Sequence, residues 1–343
     1  MLKEKKKNKQ TVFFKNAPRI ISSYSIAGPK ESKSVFAPYF DFVLEDDLWG
    51  ADSYEKTERK MLEHVVFNAI ERAGKNPADV DALICGDLLN QIISSSFTAR
   101  KFDTTYIGLF GACSTMAESL AVGACLVDGG YFDTVACATA SHFSSVERQF
   151  RFPLELGTQR PPTAQWTVTG GGCSVLSTKG EGVKISMATF GKVTDFDVID
   201  ANNMGAAMAP AAMSTLLAHF VNTDTTPDDY DLIVTGDLGK LGSEILIDLM
   251  EYNGYKLGQN YMDCGHCIFT SDQHTFMGGS GCGCSALVLN SFLLKKMLKG
   301  DYKKVLFMAT GALLSPTSSF QGESIPGIAH AIVFESGKGE NNV

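Results

Sequence analysis

A chain of 343 residues with 44% apolar and only 20% charged side chains, 33 of its residues glycine, has material for one large or two fused domains around a substantial core. That composition excludes a disordered chain. The formal net charge of -8 and pI near 5.3 exclude a nucleic-acid backbone as the main partner. The basic run from Lys3 to Lys9 is a local exception and reads as a solvated tail, with contact to an anionic membrane surface as the alternative. No run of 18 apolar residues and no basic-then-apolar leader occurs, so an intracellular protein is expected.

In chain order, Thr11–Phe14 and Pro18–Ile26 read as short strands, and Gly28-Pro29 turns the chain. Residues 30–50 carry aromatics and acids without a period and are expected to form a long insertion over the body. A helix follows from about Ser53 to Ala73, its apolar stripe Met61, Leu62, Val65, Val66, Ala69 and Ile70, with Gly74 as its stop. Asp81–Asp87 is a continuous apolar run with an acid at its end, as an internal parallel strand requires, and residues 88–100 read as a helix or irregular turn.

Gly111-Ala112-Cys113-Ser114-Thr115 then leads small and apolar residues at helical spacing as far as Asp128. A buried helix opening at or just before Cys113 is expected, and a thiol there would face free N–H groups and the positive helix end, which favour thiolate. The other reading is a cysteine that only packs beneath a sheet. Thr134–Thr139 is another buried strand ending in Ser141-His142, residues 143–170 a polar excursion near a pocket mouth, and Gly170–Leu176 and Val183–Thr189 two further strands.

The second part echoes the first. Residues 79–88 align without a gap on residues 229–238, so that Asp87 and Asp237 end equivalent strands. Residues 130–139 are echoed by 300–310, and 172–177 match 327–334 in role. A helix near 205–221 precedes the second copy, and a second central helix is expected from Cys284 to about Lys299 behind the glycine loop Gly278–Gly283. A duplicated, layered α/β body follows, with halves at 1–180 and 181–343 and ligand groups gathered where they meet.

Nine cysteines, an odd number in apolar or glycine-rich surroundings, argue for thiols rather than a disulfide framework. Cys264-x-x-Cys267 and Cys282-x-Cys284 lack the usual spacing of a zinc knuckle, so no metal is expected there. No G-x-G-x-x-G follows the first clear strand and no G-K-[ST] occurs, which excludes the common nucleotide-binding loops. A cysteine nucleophile needs thiolate character, oxyanion donors and a base. Cys113 and Ser114 at the first helix, Ser285 at the second, the strand-end acids Asp87 and Asp237, and His142 are the candidates. Arg148, Arg151 and Arg160 supply forks matched to a carboxylate. The bland reading of the two acids is that each caps the next helix.

The duplicated plan around Gly111-Ala112-Cys113-Ser114 resembles the thiolase and ketoacyl-synthase superfamily, whose members are usually dimers of five-layered α-β-α-β-α protomers. Nearly the whole chain is similar to the stage V sporulation protein AD family, through 82–91, 110–115, 145–151, 208–212, 235–238 and 310–316. The resemblance implies binding of dipicolinic acid, free or with calcium as part of the ligand, for uptake into the developing spore. It also implies work beside other proteins of the same operon, peripherally at the cytoplasmic face of the spore inner membrane. The histidine that ketoacyl synthases carry after the second-half strand is replaced by Val234-Thr235-Gly236-Asp237, and their glycine-loop asparagine has no counterpart in residues 279–283. A non-catalytic binder without a cofactor of its own is therefore expected, with acyl transfer through Cys113 or a membrane-recruited scaffold as the alternatives.

Overall fold

The computed structural model describes residues 6–7, 9–150 and 160–337. Five strands of the first half lie side by side in the order Arg19–Ala27, Gly170–Ser177, Thr134–Ser141, Ala82–Gly86 and Thr105–Gly108. Counted along the chain this is first, fifth, fourth, second, third. Val183–Thr189, Gly327–Glu335, Lys304–Ala312, Leu232–Thr235 and Tyr261–Asp263 repeat that order. The senses repeat as well: the first two neighbour pairs of each set are antiparallel and the last two parallel. A short antiparallel pairing, Val183 to Ile20 and Lys184 to Arg19, joins the two sets into one sheet.

The internal strands Ala82–Gly86, Thr134–Ser141 and Leu232–Thr235 are buried at every position. Both faces of the sheet are covered by helices there, which is why these segments read as unbroken apolar runs rather than alternating ones. Helix Tyr54–Arg72 is capped by Ser53, whose side chain accepts the Lys56 N–H, and the stripe from Met61 to Ile70 is wholly buried on the first set of strands. Each such aliphatic side chain contributes about 1.5–3 kcal/mol.

Helices Thr115–Asp128 and Cys282–Val288 lie between the two sets of strands, and the second continues through a π turn, Leu289–Leu293, to Lys299. Met204–Thr223 and Gly239–Tyr252 cover the outer face of the second set. The result is five layers, α-β-α-β-α. By length and composition Met204–Thr223 could cross a membrane, at a mean hydropathy of 1.4, yet 61% of that window is buried inside the fold.

Some expectations change in detail. Cys113 sits not in the first turn of an α-helix but in a 3-10 turn, Ala112–Ser114, and the α-helix proper opens at Thr115. The second central helix opens at Cys282 rather than Cys284, because Gly281 at φ +98° supplies the sharp entry that an L side chain would strain. The excursion is not all surface: Phe143–Phe150 is a helix with Ser145, Val146 and Glu147 buried. Arg151 lies outside the described residues.

Candidate functional site

Cys113 is fixed by its own turn. Ala112 takes a left-handed φ of +51°, the Ser114 N–H and hydroxyl both donate to the Gly111 carbonyl at 3.0 and 2.6 Å, and the Thr115 hydroxyl donates to the Ala112 carbonyl at 2.7 Å. Strand Lys304–Ala312 presses on this turn so closely that a Cβ on Gly311 would stand 2.3 Å from the Gly111 carbonyl oxygen. The Cys113 side chain is 6% exposed and packs with Leu88, Leu89, Val146 and Cys282.

Its polar neighbour is Asp237. That carboxyl, fully buried, accepts from the Thr310 hydroxyl at 2.7 Å and from the Gly281 N–H at 3.2 Å, and it interacts electrostatically with the Cys113 thiol beside it. Burial pushes the Asp237 pKa up to about 7 against the pull of those donors. Burial and then the Asp237 charge hold the Cys113 thiol well above its ordinary value. The expected thiolate is thus overturned: a helix terminus offers at most about 2 kcal/mol, whereas full burial shifts a pKa by up to about 3–5 units at about 1.4 kcal/mol each. Gln165 ties the site to its surroundings, its amide donating to the Asp237 and Gly279 carbonyls at 2.7 and 2.9 Å.

The two strand-end acids diverge. Asp87 accepts from the Leu89 N–H at 2.9 Å and from the Ser95 N–H and hydroxyl, both at 2.7 Å, so it organises the entry to helix Ile93–Ala99. In the second half the corresponding work falls to Asp263, which accepts the Leu238, Gly239 and His266 N–H groups at 2.8–2.9 Å. Asp237 is thereby left to face Cys113. Beside Asp87 lies Glu58, fully buried, which accepts from the Ser145 hydroxyl at 2.5 Å and the His142 N–H at 3.1 Å while Oε1 has no partner. Burial and the neighbouring Asp87 raise its pKa to about 8.

His142 is a structural imidazole. Its Nδ1 accepts the Ser144 N–H at 3.1 Å, so the proton sits on Nε2 and is donated to the Asp47 carbonyl at 2.8 Å, and burial lowers its pKa. The Ser285 hydroxyl donates to the Cys282 carbonyl at 3.3 Å. Arg148 is half exposed and pairs with Glu55 at 3.2 Å. Arg160 is bound inward, 2.7 Å from Glu147 with both side chains nearly buried, its guanidinium 4.7 and 5.0 Å from the Trp166 and Phe143 ring centres. Cys113 and Asp237 are therefore brought together, whereas Asp87 and His142 belong to a neighbouring polar layer around Glu58. Among the described residues no group of three or more His, Cys, Asp or Glu side chains is arranged to hold a metal ion.

Sequence reasoning passed over Glu58, Thr310 and Gln165 and weighed Cys282 only as a metal ligand. Two of them carried a signal. Glu58 stands three and four residues before Met61 and Leu62, a carboxyl on an otherwise apolar stripe. Thr310 is the echo of Thr139, whose hydroxyl donates to the Gly86 carbonyl at 2.6 Å while Thr310 reaches the Asp237 carboxyl.

The family model described as Stage V sporulation protein AD (SpoVAD) matches residues 8–335. Stage V sporulation protein AD of Bacillus subtilis (strain 168) is 44% identical over 331 residues, 96% of this chain and 98% of that protein. The chain belongs to the stage V sporulation protein AD family. Solved structures share the fold of this SpoVAD family member at much lower identity. Acetamide-bound OleA of Xanthomonas campestris matches with a TM-score of 0.62 at 12% identity, covering 94% of this chain and 99% of that one. The Acat5 thiolase of Ascaris suum in complex with coenzyme A gives 0.61 at 9%, covering 93% and 100%. The 3-oxoacyl-[acyl-carrier-protein] synthase III of Aquifex aeolicus VF5 gives 0.55 at 12%, covering 93% and 99%. The fold is thus thiolase-like.

Proposed function

We propose that this SpoVAD family member binds dipicolinate, free or as its calcium chelate, at the Cys113 corner without catalysing a reaction. On this reading it serves uptake of the ligand into the developing spore. It does so as a homodimer attached peripherally at the cytoplasmic face of the inner membrane, beside other stage V sporulation proteins. The observation that carries the reading is the Cys113–Asp237 contact. A thiol set beside a carboxyl and kept protonated is a poor nucleophile, so the corner is read as holding a ligand rather than reacting with one.

A carboxylate ligand meets Asp237 without repulsion only when Asp237 is protonated, which its pKa of about 7 allows near neutral pH. Calorimetric titration with dipicolinate, with and without calcium, should give saturable heat that is lost in Cys113→Ala while the melting temperature is kept. Affinity should fall as pH rises from 6 to 8, approaching about tenfold per unit above the Asp237 pKa. Absence of saturable heat under both conditions overturns the reading.

One observation favours acyl transfer instead: a carboxyl whose pKa burial raises to about 7 lies beside the thiol, in the position of a base. A covalent acyl adduct on Cys113, detected by intact-protein mass after incubation with acyl thioesters, would decide for it.

A further inference from the structure

A cleft of about 510 Å3 opens where the turn Pro29-Lys30 meets the turn at Asp272, Gln273 and His274, with Phe143, Trp166 and Thr169 behind it. We propose that it binds a small organic monocarboxylate, the charge on Lys30 and an apolar body against Pro29, Phe143 and Trp166. It shares no lining residue with the cluster around Cys113.

The cleft is built rather than incidental. The Lys30 ammonium donates to the Gln273 carbonyl at 2.9 Å and the Gln273 amide donates back to the Lys30 carbonyl at 2.7 Å, stapling a first-half turn to a second-half turn. The same ammonium lies 4.2 Å from the Trp166 ring centre, and Trp166 stacks on Phe143 at 3.8 Å with 7° between the planes. Lys30 makes no ion pair with a described carboxylate, and one bond to Gln273 uses one of its three donors. Glu31, beside it, is buried and turned inward, accepting the Thr169 N–H at 3.0 Å with its pKa raised to about 8 by burial, and forms no ion pair with Lys30. Nearby Arg160 is already matched by Glu147.

The rim sets the ligand class. Lys33, Asp47, Asp272 and His274 stand exposed around the opening, and the two acids there weaken the hold on a dianion such as phosphate or a free dicarboxylate. A single carboxylate on a flat apolar body takes the inner cation and covers the aromatic wall with about half that repulsion.

Benzoate is the probe, followed by saturation-transfer NMR on the full chain at pH 7, with inorganic phosphate and benzylamine as comparisons. Benzoate should saturate in the millimolar range expected of so small a molecule, about 1 mM, while neither comparison competes with it. Lys30→Met should weaken benzoate at least about tenfold, the effect of losing one charge-assisted bond. Asp272→Asn, at an exposed position, should tighten it by up to about threefold and keeps the test open if Lys30→Met unfolds. No saturation by about 10 mM, displacement by phosphate or benzylamine, or unchanged benzoate affinity in both variants would each overturn the proposal.

Discussion

At Cys113 three local influences compete. The N–H of Gly281, from the glycine loop, favours the thiolate; burial and the Asp237 carboxyl oppose it and prevail. Native-state alkylation by iodoacetamide at pH 7.5, followed by peptide mass mapping, should therefore modify Cys113 at least about tenfold more slowly than a free thiol of pKa near 8.5. Labelling as fast as the free thiol would mean that the Asp237 contact does not hold in solution. The sequence made Cys113 and Asp237 visible separately, one as the head of a small-residue helix and the other as a strand-end acid. It could not reveal that they come together, since that depends on Gly311 letting strand Lys304–Ala312 close on the turn. Nor could it show that Asp87 and Asp237, identical in local sequence, would differ: the difference lies in Asp263, far along the chain, which takes the capping bonds at the second strand end.

At the scale of elements, the duplicated strands were legible because burial on both faces leaves a mark of its own, an unbroken apolar run closed by Gly-Asp. The helix Phe143–Phe150 was not legible, since its polar residues turn inward. Glu147 meets Arg160 across a buried ion pair, and the Arg160 guanidinium also donates to the Gln165 carbonyl at 2.8 Å, next to the residue that stacks on Phe143. This pair, with the Phe143–Trp166 stack, fastens the helix to the strand Trp166–Thr167. Arg160→Ala would strand a nearly buried carboxylate, a loss of about 3–5 kcal/mol, and Arg160→Lys should recover less than half of it because an ammonium lacks the planar fork. Chemical denaturation of both variants checks this, and a loss below about 1 kcal/mol for the alanine variant would place the pair among solvent-screened contacts.

Across the whole molecule, burial of acids in the layers has a cost that depends on pH. Glu31 and Glu58 titrate at about 8 and Asp237 at about 7, against about 4 in the unfolded chain. A carboxyl whose pKa is raised on folding stabilises fully below its unfolded value, and that contribution is lost as pH climbs through the folded value. His219 and His330 act in the opposite sense, since burial lowers them to about 3 and about 4 and their contribution is lost as pH falls below about 6.5. The two effects oppose each other at mildly acid pH, but above about 6.5 the carboxyls still change, and the buried thiols, held above their ordinary value, add to the loss as pH nears 8.5. The melting temperature should therefore drop between pH 6.5 and 8.5 by an amount on the order of 5 °C. Glu58→Gln should flatten part of that slope: the amide oxygen still accepts from Ser145 and the His142 N–H, and no charge forms at the position of the unpartnered oxygen. Scanning calorimetry of both proteins at the two pH values tests it. The variant should match the wild type at pH 6.5 and exceed it at 8.5, whereas parallel slopes would show that Glu58 stays ionised throughout.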